Sequence, residues 1–228
     1  MPRQRLTQGL GAASAVAWLA AVAALALARA TAGWPAAHEL AASPDALERG
    51  RLWLLGTSAL VVQGPPVLQI AGTAGLIWVV VHRFGAATFW ATAVAGHVGG
   101  TLAVYAGIGL IWLVDAQAVR HVTDASDYGI SAVWAACIGV VSVAGAAGAL
   151  PRARLAASLG AGCLLAFLVL LPADGELSDV EHLVAFLAGA ALAARALHHE
   201  RRGDADPLRP PRLPSLRRRP RAAARAAR

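Results

Sequence analysis

The chain has 228 residues, 57% of them hydrophobic and 14% charged, and a net charge of +7 carried without a single lysine. A water-soluble domain usually carries about a quarter charged residues, so a mean hydropathy of +0.57 excludes an ordinary soluble enzyme and points to apolar runs that cross a bilayer. Ten of the 20 arginines lie in residues 201–228. No aromatic side chains interleave with them, which excludes a nucleic-acid interface and matches a cytoplasmic tail lying against anionic lipid headgroups.

Taken in order, the apolar runs predict six transmembrane helices, over 10–28, 67–81, 86–114, 129–150, 155–171 and 183–197. The first follows a short basic segment, as a signal peptide would. It is long for such a leader and five more runs follow, so it reads as a membrane helix. Gln63-Gly64-Pro65-Pro66 delays the start of the second. The third is long enough to tilt or to extend beyond the bilayer. Residues 10–198 form one membrane domain, between a cytoplasmic N-terminus (1–9) and a disordered Arg-rich cytoplasmic tail (199–228) with no hydrophobic periodicity. The expected fold class is all-α, a polytopic six-helix bundle.

Charge sets the orientation. With the N-terminus inside, segments 1–9, 82–85, 151–154 and the tail from Arg195 hold 16 of the arginines and three acids. The opposite segments, 29–56, 115–128 and 172–182, hold four arginines and ten acids. Five or seven spans would put a mismatched flank on the wrong side, so both termini are expected in the cytoplasm. Gly and Ala are dense within the runs, which predicts closely packed helices.

Polar side chains within apolar runs are costly and mark candidate sites. Here they are Gln69, His97, Ser131 and His182. Ser131 opens the fourth span in Asp127-Tyr128-Gly129-Ile130-Ser131-Ala132, and His182 opens the sixth. The alternation puts both near the outer face at comparable depth. A serine beside a histidine is the minimum apparatus for acyl transfer, the imidazole taking the hydroxyl proton as oxygen attacks a carbonyl. Gly129 lets backbone approach closely there. A transmembrane serine also bonds commonly to the preceding turn. His97, in mid-span, reads as a neutral histidine bonded to a neighbouring helix, and Gln69 as a helix–helix hydrogen bond. Cys137 and Cys163 fit no metal spacing and read as small hydrophobes. No metal or cofactor motif is present.

Gly129-Ile130-Ser131-Ala132, followed by His182 in His182-Leu-Val-Ala-Phe-Leu-Ala-Gly189, resembles the GxSG motif and sixth helix of the rhomboid superfamily of intramembrane serine proteases. His82-Arg83-Phe84-Gly85 resembles the turn closing that family's second helix. Leu54-Leu-Gly-Thr-Ser58, Gly96-His-Val-Gly-Gly-Thr-Leu102 and Asp127-Tyr-Gly-Ile-Ser131 resemble the rhomboid-like membrane proteins of actinobacteria. The resemblance spans residues 10–197. It implies a six-helix core with Ser131 as nucleophile, His182 as general base and acid, and no cofactor. The substrate would be a transmembrane helix of another membrane protein.

Two positions depart from the pattern. The second glycine is Ala132, and the stretch Pro65-Pro-Val-Leu-Gln69 lacks the histidine of the family's HxxxN oxyanion pair, leaving Gln69 as the side-chain donor. The alternative is therefore a catalytically inactive relative that binds transmembrane clients. A small transporter, the third class, would need more charge in its spans. Arg and Ala abundance without Lys suggests a GC-rich bacterial genome, and hence the bacterial plasma membrane.

Overall fold

A computed structural model describes residues 2–123, 125–174 and 177–203. The regular elements among them are helices, and no strand occurs there beyond an isolated bridge between Ala42 and Asp127.

Helix α1 (Pro2–Ala32) takes in most of the segment expected to precede the first span. The chain then forms a compact segment where the sequence suggested only a connection, called the outer segment after the side on which the charge pattern is expected to place it. It holds α2 (Ala37–Leu40), α3 (Pro44–Glu48), α4 (Leu54–Thr57) and a 3-10 turn over Ser58–Leu60. The Ser43 hydroxyl caps α3 by accepting the Ala46 N–H at 3.1 Å. Ala42, Ala46 and Leu54 give the segment a small core of its own.

Gly64, at φ +87°, turns the chain into Pro65 and α5 (Pro66–Phe84). Gly85, at φ +93°, ends α5 and starts α6 (Ala86–Val94) without a loop between them. Helix α6 runs through a π-helical turn, Ala95–Gly99, into α7 (Gly100–Val114). The stretch expected as one long span is thus one helical column with a bulge in its middle. The Asp115 carboxylate accepts the Gln117 N–H at 3.0 Å and starts the short α8 (Ala116–Val119).

The last three helices are α9 (Ile130–Ala146), α10 (Ala153–Asp174) and α11 (Leu177–Arg202). α11 continues into the stretch assigned to the disordered tail because no breaker interrupts it before Gly203, at φ +72°. Residues 204–228 of that tail lie outside the described residues.

α9 is the central post. Along it Val133, Cys137, Val140 and Ala144 are buried against α1, α5, α6 and α11. Helix α11 crosses it at backbone distance. A Cβ on Gly189 would collide with the Ala136 carbonyl, and one on Gly139 with the Phe186 carbonyl. Four helical stretches, Gln8–Ala32, Pro66–Phe84, Ala86–Val114 and Ser178–Arg202, are long and apolar enough to cross a membrane. Ile130–Ala146 and Ala153–Val169 are shorter apolar helices. Many large apolar side chains face outward, including Trp78, Leu110, Leu113, Val114 and Leu165.

The bundle has two distinct ends. At one, the Arg83 guanidinium forks onto Glu200 at 3.1 and 3.0 Å, and its Nε–H donates to the Ala149 carbonyl at 3.1 Å. This ties the end of α5 to the end of α11 and the turn before α10. Gly11 of α1 packs against Ala86 beside this end. At the other end, Arg29 donates to the Val62 carbonyl at 3.1 Å, and the outer segment docks on the start of α9 and the Asp127 loop before it.

Candidate functional site

The outer-segment end holds two sites, which meet α11 at the consecutive residues Glu181 and His182. The first is a cavity of about 380 Å³ bounded by α5, α9, α10 and α11. Its wall is almost wholly apolar, with Leu68, Ile130, Trp134 and Phe167 prominent, and its polar side chains include Gln69, Ser131 and His182. Ser131 stands in the first turn of α9. Its hydroxyl donates to the Tyr128 carbonyl at 3.0 Å, closing the helix start on itself. His182 stands in the second turn of α11 with its ring 5.8 Å from that of Phe167, and its Nε2 is buried without a hydrogen-bond partner. The fold therefore brings both residues to one cavity, and among the described residues no hydrogen bond joins them. Gln69 lines the same wall, but its amide N–H donates to the Gln63 carbonyl rather than projecting free.

The second site meets α11 at the preceding residue, Glu181, and is built of buried side chains. It is built around His97, which the π-helical turn aims toward the outer segment. Such turns add a residue to the helix and recur at functional positions. His97 Nε2 lies 2.8 Å from the Leu55 carbonyl and 3.0 Å from the Ser58 hydroxyl. A carbonyl only accepts, so Nε2 carries the hydrogen. The histidine was expected to bond a neighbouring helix; its partners are Leu55 of the short α4 and Ser58, which follows it. Its Nδ1 points at Glu181 Oε1, 3.7 Å away, and makes no hydrogen bond.

Glu181 and Asp127 complete the cluster. The Thr101 hydroxyl lies 2.5 Å from Glu181 Oε1 and 3.1 Å from Asp127 Oδ2. The two carboxyls lie close enough to act on each other, and the Tyr105 hydroxyl donates to Asp127 Oδ2 at 3.4 Å. Ser58, Thr101, His97 and Glu181 are at most 2% exposed, and Asp127 only 6%. Asp127, in the loop before α9, has its carboxyl pushed up to about 8 by burial. Neighbouring Glu181 adds to the shift; the fields of His97 and the Thr101 hydroxyl oppose it. Gly129 serves this cluster, since a Cβ there would overlap the His97 ring.

Reading the sequence missed this cluster. Asp127 and Glu181 counted as surface acids of outer connections, and they are buried. The available signal was their position. Asp127 lies just before α9 and Glu181 is the fifth residue of α11, and His97 sits in mid-run between Gly96 and Gly99-Gly100, where small residues admit a close neighbour. Among the described residues no group of His, Cys, Asp and Glu is placed to hold a metal ion. No protein-family model, curated protein or solved structure matches the chain.

Proposed function

We propose that this chain is a rhomboid-like protein of the bacterial plasma membrane, with six spans and both termini in the cytoplasm. Its α5–α9–α10–α11 cleft receives a transmembrane segment of another protein, and Ser131 with His182 cleaves it. The observation that carries this reading is the cavity itself. It is apolar, of a size to admit side chains of an incoming segment, and has a hydroxyl and an unpartnered imidazole nitrogen on one wall.

Outward-facing Trp78, Leu110, Leu113 and Val114 supply the lipid-exposed surface that such a protein needs. The shorter α9 fits as well, because a helix surrounded by others need not itself reach both faces of the bilayer. The arginine distribution supplies the orientation.

In the chemical step the Ser131 hydroxyl turns from the Tyr128 carbonyl toward His182. Its oxygen bonds to the carbonyl carbon of the scissile peptide while His182 Nε2 takes the proton. Collapse of the tetrahedral intermediate breaks the C–N bond, and the imidazolium returns the proton to the leaving amine. Water, activated by the same histidine, then releases the acyl group. The Ser131 N–H and the Gln69 amide, once released from Gln63, face the oxyanion; each such donor is worth on the order of a hundredfold in turnover.

A second reading is favoured by one specific feature. In the resting protein the Ser131 hydroxyl and the Gln69 amide are both bonded to their own chain, so the cleft binds a transmembrane client without cutting it. Serine-directed fluorophosphonate labelling of purified protein separates the two. Cleavage chemistry predicts labelling of the wild type that disappears in Ser131→Ala and in His182→Ala. A folded wild type that takes no label leaves client binding as the function.

A further inference from the structure

We propose that Asp127, Glu181 and His97 form a proton-binding site, which holds one proton between the two carboxyls and thereby keeps the outer segment seated on the bundle. The argument begins with Thr101. A hydroxyl has one hydrogen to give, yet Thr101 Oγ1 lies within hydrogen-bonding distance of both Glu181 Oε1 and Asp127 Oδ2. Ionised carboxylates only accept. The second of these contacts therefore requires a hydrogen brought by a carboxyl. Two bare carboxylates in an enclosed, largely apolar setting would repel strongly.

An independent observation marks the same spot. His97 is 2% exposed, its Nε2 hydrogen is committed toward the Leu55 carbonyl, and its Nδ1 is an empty acceptor aimed at Glu181. The cluster thus offers one proton a choice of Asp127, Glu181 and His97 Nδ1. The other groups facing it are Tyr105 from α7 and Ser58 from the outer segment. From α9 comes only the side-chain-free Gly129. Asp179 and His182 are the other titratable groups of that end of α11.

The site is tied to the outer segment by backbone. Asp127 exchanges two hydrogen bonds with Ala42, at 3.2 and 2.8 Å, and the Gly129 N–H donates to the Ser58 carbonyl at 2.9 Å. Loss of the proton to water or buffer leaves two adjacent carboxylates, and the repulsion is relieved when the Asp127 loop withdraws. Ala42 and Ser58 then move with it. The field of Asp127 also reaches His182, on the cleft side of α11. Nothing in this requires Ser131 to be a nucleophile, so it stands or falls separately from the labelling experiment.

The test uses the full chain in lipid nanodiscs, titrated while infrared difference spectra follow the carbonyl stretch of protonated carboxylic acid. Trypsin cleavage at the exposed Arg49 and Arg51 is followed in parallel. The wild type is expected to show the protonated-carboxyl band at neutral pH and to lose it as pH rises through about 8. A raised carboxyl contributes stability at low pH that disappears as pH passes the folded value. Cleavage should therefore rise as pH climbs toward about 8, by up to roughly tenfold per pH unit, and level off above it. Asp127→Asn and Glu181→Gln should lack the band. Glu181→Gln, which keeps a hydrogen donor toward Asp127, should also lose the pH-dependent difference in cleavage. Absence of the band in neutral wild type overturns the proton site. A band that titrates while wild type and Glu181→Gln are cut alike overturns its coupling to the outer segment. If neither variant folds, the wild-type titration of band and cleavage decides alone.

Discussion

A Cβ on Gly129 would overlap the imidazole of His97, whereas one on Gly9 would meet nothing within 4 Å. The absence of one methyl group thus lets the start of α9 close over the buried cluster, and it fixes where Ser131, two residues on, must stand. Gly129→Ala should cost about 1–3 kcal/mol, the usual range for forcing atoms into a packed site, and should lower the unfolding temperature in detergent; Gly9→Ala should not. An unchanged Gly129→Ala melt would mean that the imidazole has room to retreat. At this scale the sequence was informative about residue types and uninformative about pairings. Gly129 was readable as a point of close approach, but the approaching group is His97, from a helix that local spacing cannot connect to it. Ser131 and His182 were readable as outer-end neighbours, and they do line one cavity. Their resting hydrogen bonds depend on rotamers that no motif encodes.

Between elements, the closest meeting is that of α9 and α11. A Cβ on Gly139 or Gly189 would meet backbone of the other helix, and backbone cannot give way as a flexible side chain can. Gly139→Ala and Gly189→Ala should each destabilise the protein measurably in a denaturant series, by at least about 1 kcal/mol. Gly75→Ala, where nothing lies within 4 Å, should be neutral or stabilising by up to about 1 kcal/mol from helix propensity. Equal effects at the three positions would argue against this crossing. The abundance of small residues announced tight packing in advance. Which of them sit at crossings was hidden, because periodicity gives a helix its faces without saying which helix each face will meet. The π-helical turn at Ala95–Gly99 was hidden for a related reason: its local sequence, Ala-Gly-His-Val-Gly, is compatible with an ordinary helix, and its His97 is held by contacts with the outer segment.

For the molecule as a whole, the proposed six-span arrangement makes a definite topological prediction. In an otherwise unchanged protein carrying Cys163→Ser, with Cys137 buried, a cysteine placed at Gln117 should react with a membrane-impermeant maleimide added to intact cells. One placed at Arg152 should react only after lysis. Labelling of both positions from the same side would overturn the alternation. The three-dimensional arrangement agrees with the charge pattern in one respect: Arg83, Glu200 and Gly11 lie toward one end, and Ser58, Asp127 and Glu181 gather at the other.

Sequence alone determined the helical class, the main apolar stretches and the break before α5, because hydropathy, proline and positive-φ glycine act locally, through the immediate surroundings of each residue. It also determined that both candidate catalytic side chains sit near helix starts. Only the tertiary structure decided that residues 33–65 fold into short helices seated on the bundle, that Asp127 and Glu181 are interior groups, and that His97 faces them. Burial of a charge is a property of what surrounds it, and here the surroundings come from four separate stretches of chain. A carboxylate in an outer connection and one sharing a proton inside the protein are the same letter until those stretches meet.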